Sequence, residues 1–252
     1  MAIDIATGWA LSALLISLRL GPLLVLSPPF SQLKVPMRVR VCLALALGAC
    51  LATSTTSNAA VTMSNGEFAS ALCIELMLGL AIALAFQVAF GALSFAGRVV
   101  DVQAGFGLAM VMDPGSRQQA PLFGTIFTLV AGATFFSLNG PDELLRLFAN
   151  LVRLMPPGSA RLNVEPGDLI AYVGIVMAAG LGAAAVVILS LFMIDVAIAF
   201  LSRTLPQMNA LMLGLQVKTI ATLLVASLSV GLLAPAVFRI ISLALGFLPS
   251  LI

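Results

Sequence analysis

Long apolar stretches separated by clustered charges set the pattern of this chain. No charged residue occurs between Arg40 and Glu67, Glu75 and Arg98, Arg117 and Asp142, Asp168 and Asp195, or Lys218 and Arg239. Each gap holds about 20 or more residues, close to what an α-helix needs to cross a bilayer core. A helix facing water carries polar residues in every turn, and these stretches do not. The pattern predicts an all-α polytopic membrane protein, or a subunit whose helices are buried among other helices.

About six long apolar, kinked helices, packed as hairpins, are expected within a single domain over 1–252. The first covers roughly 5–26, carries Arg19 inside it, and ends at Pro28-Pro29, because proline cannot donate and turns the preceding residue away from helix. The loop 32–40 holds Lys34, Arg38 and Arg40 without an acid, so the positive-inside rule places it in the cytoplasm. A second segment spans 39–53 and closes on the polar run 53–58. A third, 67–100, overshoots a bilayer and predicts tilt or a kink. The fourth, 121–138, stops at Asn139-Gly140-Pro141, a strong breaker. An amphipathic stretch follows over 143–154, with Leu144, Leu145, Leu147, Phe148, Leu151 and Val152 apolar. After the turn Pro156-Pro157-Gly158-Ser159, segments at 166–201 and 217–247 complete the set, the last with Pro235 as a kink point. Six crossings place the fourth connection outside, and its Arg146, Arg153 and Arg161 pull against that topology.

Composition agrees with a membrane setting: 61% hydrophobic and 9% charged residues, with a mean hydropathy of +1.16, lie far outside soluble norms. The net charge of +2 is too small, and too dispersed, for a nucleic-acid surface. Asp4 precedes the first apolar stretch and no Lys or Arg comes before Arg19, so the first segment is expected to be retained rather than cleaved. Histidine is absent, which removes the commonest general base and metal ligand. Cys42, Cys50 and Cys73 form no C-x-x-C pair, and the first two lie about 12 Å apart along one helix, too far to bond. All three read as small buried apolar residues. Phosphate-binding, zinc-protease and paired-carboxylate motifs are missing, and the reading is of a non-enzyme with no catalytic, cofactor or metal residues.

Three constellations remain. Small residues recur at four-residue spacing: Gly174, Ala178 and Gly182 on one face, and Ala71, Gly79, Ala83 and Gly91 on another, with Glu75 and Gln87 in the same row. Such stripes let helix backbones approach, either within the chain or against another subunit. Arg19, Glu75, Asp101 and Asp195 sit in or at the ends of apolar segments, where charge is costly and is expected to pair or face a polar cavity. Structural pairing, interface salt bridges and proton transport are the possible roles. Finally, Phe106, Gly107, Leu108, Ala109, Met110, Val111, Met112, Asp113, Pro114 and Gly115 form an apolar, methionine-bearing stretch after Gly105. Unbranched methionine conforms to irregular surfaces, so this is a compliant seal or simply the end of a helix and a turn.

Several blocks, in this order, resemble the FliR family, the R subunit of the bacterial flagellar type III export gate, which is related to the injectisome T subunit. They are Arg19-Leu-Gly-Pro-Leu-Leu24, Ser27-Pro-Pro-Phe30, Val35-Pro-Met-Arg-Val-Arg40 and Glu75-Leu-Met-Leu-Gly-Leu80. Stronger still are Asp101-Val-Gln-Ala-Gly105, Asp113-Pro-Gly-Ser116, Arg203-Thr-Leu-Pro-Gln-Met-Asn209 and Leu213-Gly-Leu215. The resemblance implies a single copy assembling with several P-type and Q-type subunits into a helical export gate in the inner membrane, a conduit for unfolded proteins. It implies that 106–115 projects into the pore and plugs it, with Met110 and Met112 filling the closed pore. Arg19, Glu75, Gly79, Asp101, Gln103, Gly174, Ala178, Gly182, Arg203, Pro206, Gln207 and Asn209 are then the packing and interface positions. The alternative is the injectisome export-gate T subunit, with a small-solute transporter ranked below it because the chain lacks a matching pair of broken segments.

Overall fold

The computed structural model describes residues 2–53, 63–106, 121–160, 165–204 and 210–247. Among them run seven α-helices: α1 (Ala2–Leu26), α2 (Met37–Ala52), α3 (Asn65–Ala104), α4 (Leu122–Ser137), α5 (Gly140–Leu154), α6 (Pro166–Thr204) and α7 (Ala210–Phe247). A 3-10 turn at Phe30–Gln32 follows α1.

Local chemistry sets several of these ends. The Ser64 backbone N–H donates to the Glu67 carboxylate at 2.8 Å, and the Glu67 N–H donates to the Ser64 hydroxyl at 3.4 Å. This reciprocal capping box starts α3. At its other end Gly105 has φ +88°. The Phe106 N–H reaches back to the Asp101 carbonyl (3.0 Å) and the Gly105 N–H to that of Val102 (3.1 Å), a Schellman termination that calls for glycine. Between α4 and α5 the chain bends by 67°. Asn139 takes a left-handed conformation there (φ 56°), and its carbonyl accepts from the Asp142 and Glu143 N–H groups.

Four helices are long and apolar enough to cross a membrane: Thr7–Leu26, Asn65–Ala104, Pro166–Thr204 and Met212–Phe247. The bent pair Leu122–Ser137 with Gly140–Leu154 makes a fifth if it counts as one span. The expected six fall to this number because α2 and α4 each have 16 residues, about 24 Å of helix against a core of about 30 Å. α7 starts earlier than the expected 217 and is helical through Pro235.

Packing divides the chain into two compact units. One comprises Met1–Val88, Phe135–Tyr172 and Ser242–Ile252; the other comprises Ala89–Thr134 and Val173–Ile241. The first has a core of Leu15, Ile16, Leu20 and Leu23 from α1, Leu78, Ile82 and Phe86 from α3, and Phe148 and Val152 from α5. Edge-to-face rings join Phe86 and Phe30 to Phe135 at 6.3 and 6.0 Å. Tyr172 stacks on Phe247 at 4.2 Å and donates to the Ala85 carbonyl at 2.7 Å. In the second unit the buried residues include Phe90, Leu93 and Val100 of α3, Phe123 and Phe127 of α4, Val176, Val187 and Leu191 of α6, and Val237 and Ile240 of α7.

The apolar windows of α6 and α7 are only 17% and 22% buried, against 50% and 56% for α1 and α3. Apolar faces turned outward on this scale need lipid or other helices. Cys42, Cys50 and Cys73, expected inside, are exposed. Helices apolar on every side give no sequence cue to which face packs inward.

Candidate functional site

The most constrained chemistry of the first unit lies where α1 crosses α3. Arg19 and Glu75 are both fully buried and form a two-pronged pair, Nε to Oε2 at 2.6 Å and Nη2 to Oε1 at 2.8 Å. The turn after α5 completes it. Arg19 Nη1 donates to the Met155 carbonyl at 3.3 Å, and the Gly158 N–H donates to Glu75 Oε1 at 3.1 Å. Buried charge is tolerable only when partnered and hydrogen-bonded, and here two helices and a turn supply every partner. Gly79, one turn beyond Glu75, makes the approach possible: a Cβ there would stand 2.5 Å from the Arg19 carbonyl oxygen.

The second unit repeats the device with Asp101. Its carboxylate accepts the backbone N–H groups of Phe123 (3.0 Å) and Gly124 (3.2 Å), the first turn of α4. A carboxylate there meets otherwise unsatisfied donors and the positive end of the helix dipole. Gly97, one turn before Asp101, lies against that turn, where a Cβ would come within 2.5 Å of Gly124 N. Phe106 stacks on Phe123 at 6.2 Å. The chain on either side of 107–120 is thereby held together at its base. Gln103 donates to the Ile188 carbonyl of α6 at 3.0 Å.

Asp195 of α6 pairs with Lys218 of α7. Sequence reasoning named the acid but not its base. The signal was available, since Asp195 lies about as far before the end of α6 as Lys218 lies after the start of α7. Gly97 was missed as well, although it shares a helix face with Asp101. Also missed was Arg40, whose guanidinium donates to the carbonyls of Val25 (3.2 Å), Ser31 (3.3 Å) and Leu33 (2.6 Å), tying the basic loop to the end of α1.

Not every expected residue has a partner here. Gly174 and Gly182 have nothing within 4 Å of where a Cβ would lie, and the same holds for Gly91. Ala178 and Arg203 are exposed. Positions 107–115 of the expected plug, and Pro206, Gln207 and Asn209, fall outside the described residues. No group of three or more His, Cys, Asp or Glu able to hold a metal occurs among the described residues. The arrangement holds helices in register and offers open apolar faces.

Comparison with known proteins agrees with that character. The family model "Bacterial export proteins, family 1" matches residues 10–244. The flagellar biosynthetic protein FliR of Escherichia coli (strain K12) is 29% identical over 227 residues, covering 86% of this chain and 84% of its own length. FliR of Bacillus subtilis (strain 168) is 24% identical over 95% of this chain and 93% of itself. The Yop proteins translocation protein T of Yersinia pestis is 28% identical over 160 residues, 60% of this chain and 59% of itself.

Proposed function

The chain belongs to family 1 of the bacterial export proteins and is a multi-pass membrane protein of that export family, and from that premise we propose that it is an integral component of the flagellar type III protein export gate. It resides in the inner membrane at the flagellar basal body, forming part of the channel through which unfolded flagellar proteins leave the cytoplasm. The observation that carries this reading is the match to flagellar relatives along 84% and 93% of their own lengths. The injectisome protein matches along only 59% of its length, which favours the flagellar branch.

In this reading one copy assembles with P-type and Q-type gate subunits. The largely exposed apolar faces of α6 and α7, and the segment from Arg203 through Pro206, Gln207 and Asn209, are where those subunits pack. The stretch from Phe106 to Gly115 plugs the pore, with Met110 and Met112 as its compliant filling and the Asp101–α4 clamp as its base. An apolar plug rich in unbranched methionine stops ions yet yields to a polypeptide.

Deletion of the gene in its own host tests the role. Loss of swimming and of exported hook and filament proteins, restored by the intact chain, is the expected result. Intact flagella alongside a lost injectisome secretion profile transfer the chain to the other branch. For the plug, replacing Met110 and Met112 with alanine raises ion leak through the assembled gate; unchanged leak removes it from the reading.

A further inference from the structure

In the first unit, the corner between α1 and α2 holds a small open socket of about 70 Å³. Phe30, Leu33 and Val35 of the connection wall it on one side, and Val39, Arg40 and Leu43 of α2 on the other. We infer that it is the docking point for an acidic segment of another protein, which seats one apolar side chain in the socket and sets its carboxylates on Lys34 and Arg38.

The socket is built before any partner arrives. Arg40 spends Nη1 on the Val25 carbonyl (3.2 Å) and Nη2 on those of Ser31 (3.3 Å) and Leu33 (2.6 Å). The Val35 N–H donates to the Leu33 carbonyl at 2.7 Å, a three-residue turn with Lys34 at its apex. A corner fixed in this way loses little freedom on binding. Yet Leu33, Val35, Val39 and Leu43 remain between 37% and 52% exposed, so this chain frames the socket without closing it.

Two further observations say what closes it. Gln32 Nε2 and Arg40 Nε, at the same corner, are buried with no acceptor among the described residues. Native structures rarely leave such donors unmet, so the occupant brings oxygen as well as carbon. Lys34 stands between two wall residues and Arg38 next to a third. Both are exposed, and neither has an acidic partner among the described residues. Three cations without an acid over 32–40 call for carboxylates.

Size chooses between a peptide and a lipid. At up to about 15 Å³ for each water-sized group, the socket takes roughly five of them, close to one leucine side chain. A helix about 10 Å wide does not enter, and an acyl chain is far longer than the hole. The cations also lie one residue from the apolar wall. Carboxylates and an apolar anchor are that close in neighbouring residues of a peptide, about 3.5 Å apart along the chain.

The experiment measures fluorescence anisotropy of short tagged peptides on the purified full chain in detergent. One peptide carries leucine between aspartates and glutamates; a second has the acids replaced by their amides, and a third has serine for the leucine. The acidic leucine peptide is expected to bind about tenfold more tightly than its amide form, the size of two exposed ion pairs. It should exceed the serine form by tenfold or more, the size of one buried leucine. Lys34→Gln with Arg38→Gln removes the first preference, and Val39→Trp, which fills the socket, removes the second, each without changing the melting temperature. Equal binding of all three peptides, or no binding of any at millimolar concentration, overturns the proposal. So does a double variant that behaves like the parent. Full competition by phosphatidylglycerol in mixed micelles gives the corner to a lipid surface and overturns it as well. Export is not part of the readout, so this proposal and the gate reading fail separately.

Discussion

At the scale of single residues, the buried Arg19–Glu75 pair exposes an asymmetry between making a contact and breaking one. Removing either partner strands the other charge in a dry interior, which costs about 3–5 kcal/mol; replacing both with apolar groups of similar volume is often close to neutral. Arg19→Leu and Glu75→Leu are each expected to lower the thermal stability of the purified chain sharply, and the double variant to recover most of the loss. Single variants as stable as the parent would show that the pair does not hold α1 to α3. Glycine gives a second contrast. Gly79 and Gly91 lie on one sequence stripe, yet a Cβ at Gly79 meets the Arg19 carbonyl at 2.5 Å and one at Gly91 meets nothing within 4 Å. Gly79→Val is therefore expected to destabilise by more than about 2 kcal/mol, in the range of other overpacked sites, while Gly91→Val leaves the isolated chain's melting unchanged. Equal effects at the two positions would deny the close crossing.

At the scale of elements, Asp101 performs two tasks from one turn of helix. Its backbone carbonyl closes the end of α3 on Phe106, and its side chain opens α4 on Phe123 and Gly124. Asp101→Asn keeps the shape but leaves one acceptor oxygen in place of two and removes the charge facing the α4 dipole. A loss of about 1–2 kcal/mol is expected, the size of a lost cap, with amide exchange in the first turn of α4 rising before any other change. Unaltered exchange there would mean the clamp is not what holds α4. These features also divide what the sequence made legible from what it did not. Pro28-Pro29, Asn139-Gly140-Pro141 and the turn at 156–159 act through their own backbones, so helix boundaries could be read directly. Which charge meets which could not, because Arg19 and Glu75 are 56 positions apart and apolar helices hide their inward faces. The same blindness put three exposed cysteines in the interior. Positions 107–115 of the expected plug and the Pro206–Asn209 block fall outside the described residues, so their roles rest on resemblance.

For the whole molecule, the question is how helices longer than a bilayer sit in one. α6 and α7 have 39 and 38 residues, about 57 Å of helix each, nearly twice a hydrocarbon core. Part of each must leave the core or tilt within it, and composition alone does not choose the part. Charge does. Lys218 and Arg239 bound an uncharged run whose length matches the core, and Leu228, midway between them, is 83% exposed. Spin labels placed singly along 218–239 in nanodiscs are expected to show accessibility to oxygen peaking, and to a water-soluble nickel complex reaching its minimum, at 228. A maximum displaced by two turns or more toward either end would shift the bilayer boundaries off Lys218 and Arg239. A flat profile with high nickel access throughout would describe a hairpin that has left the bilayer, with its apolar faces covered by other helices rather than by lipid.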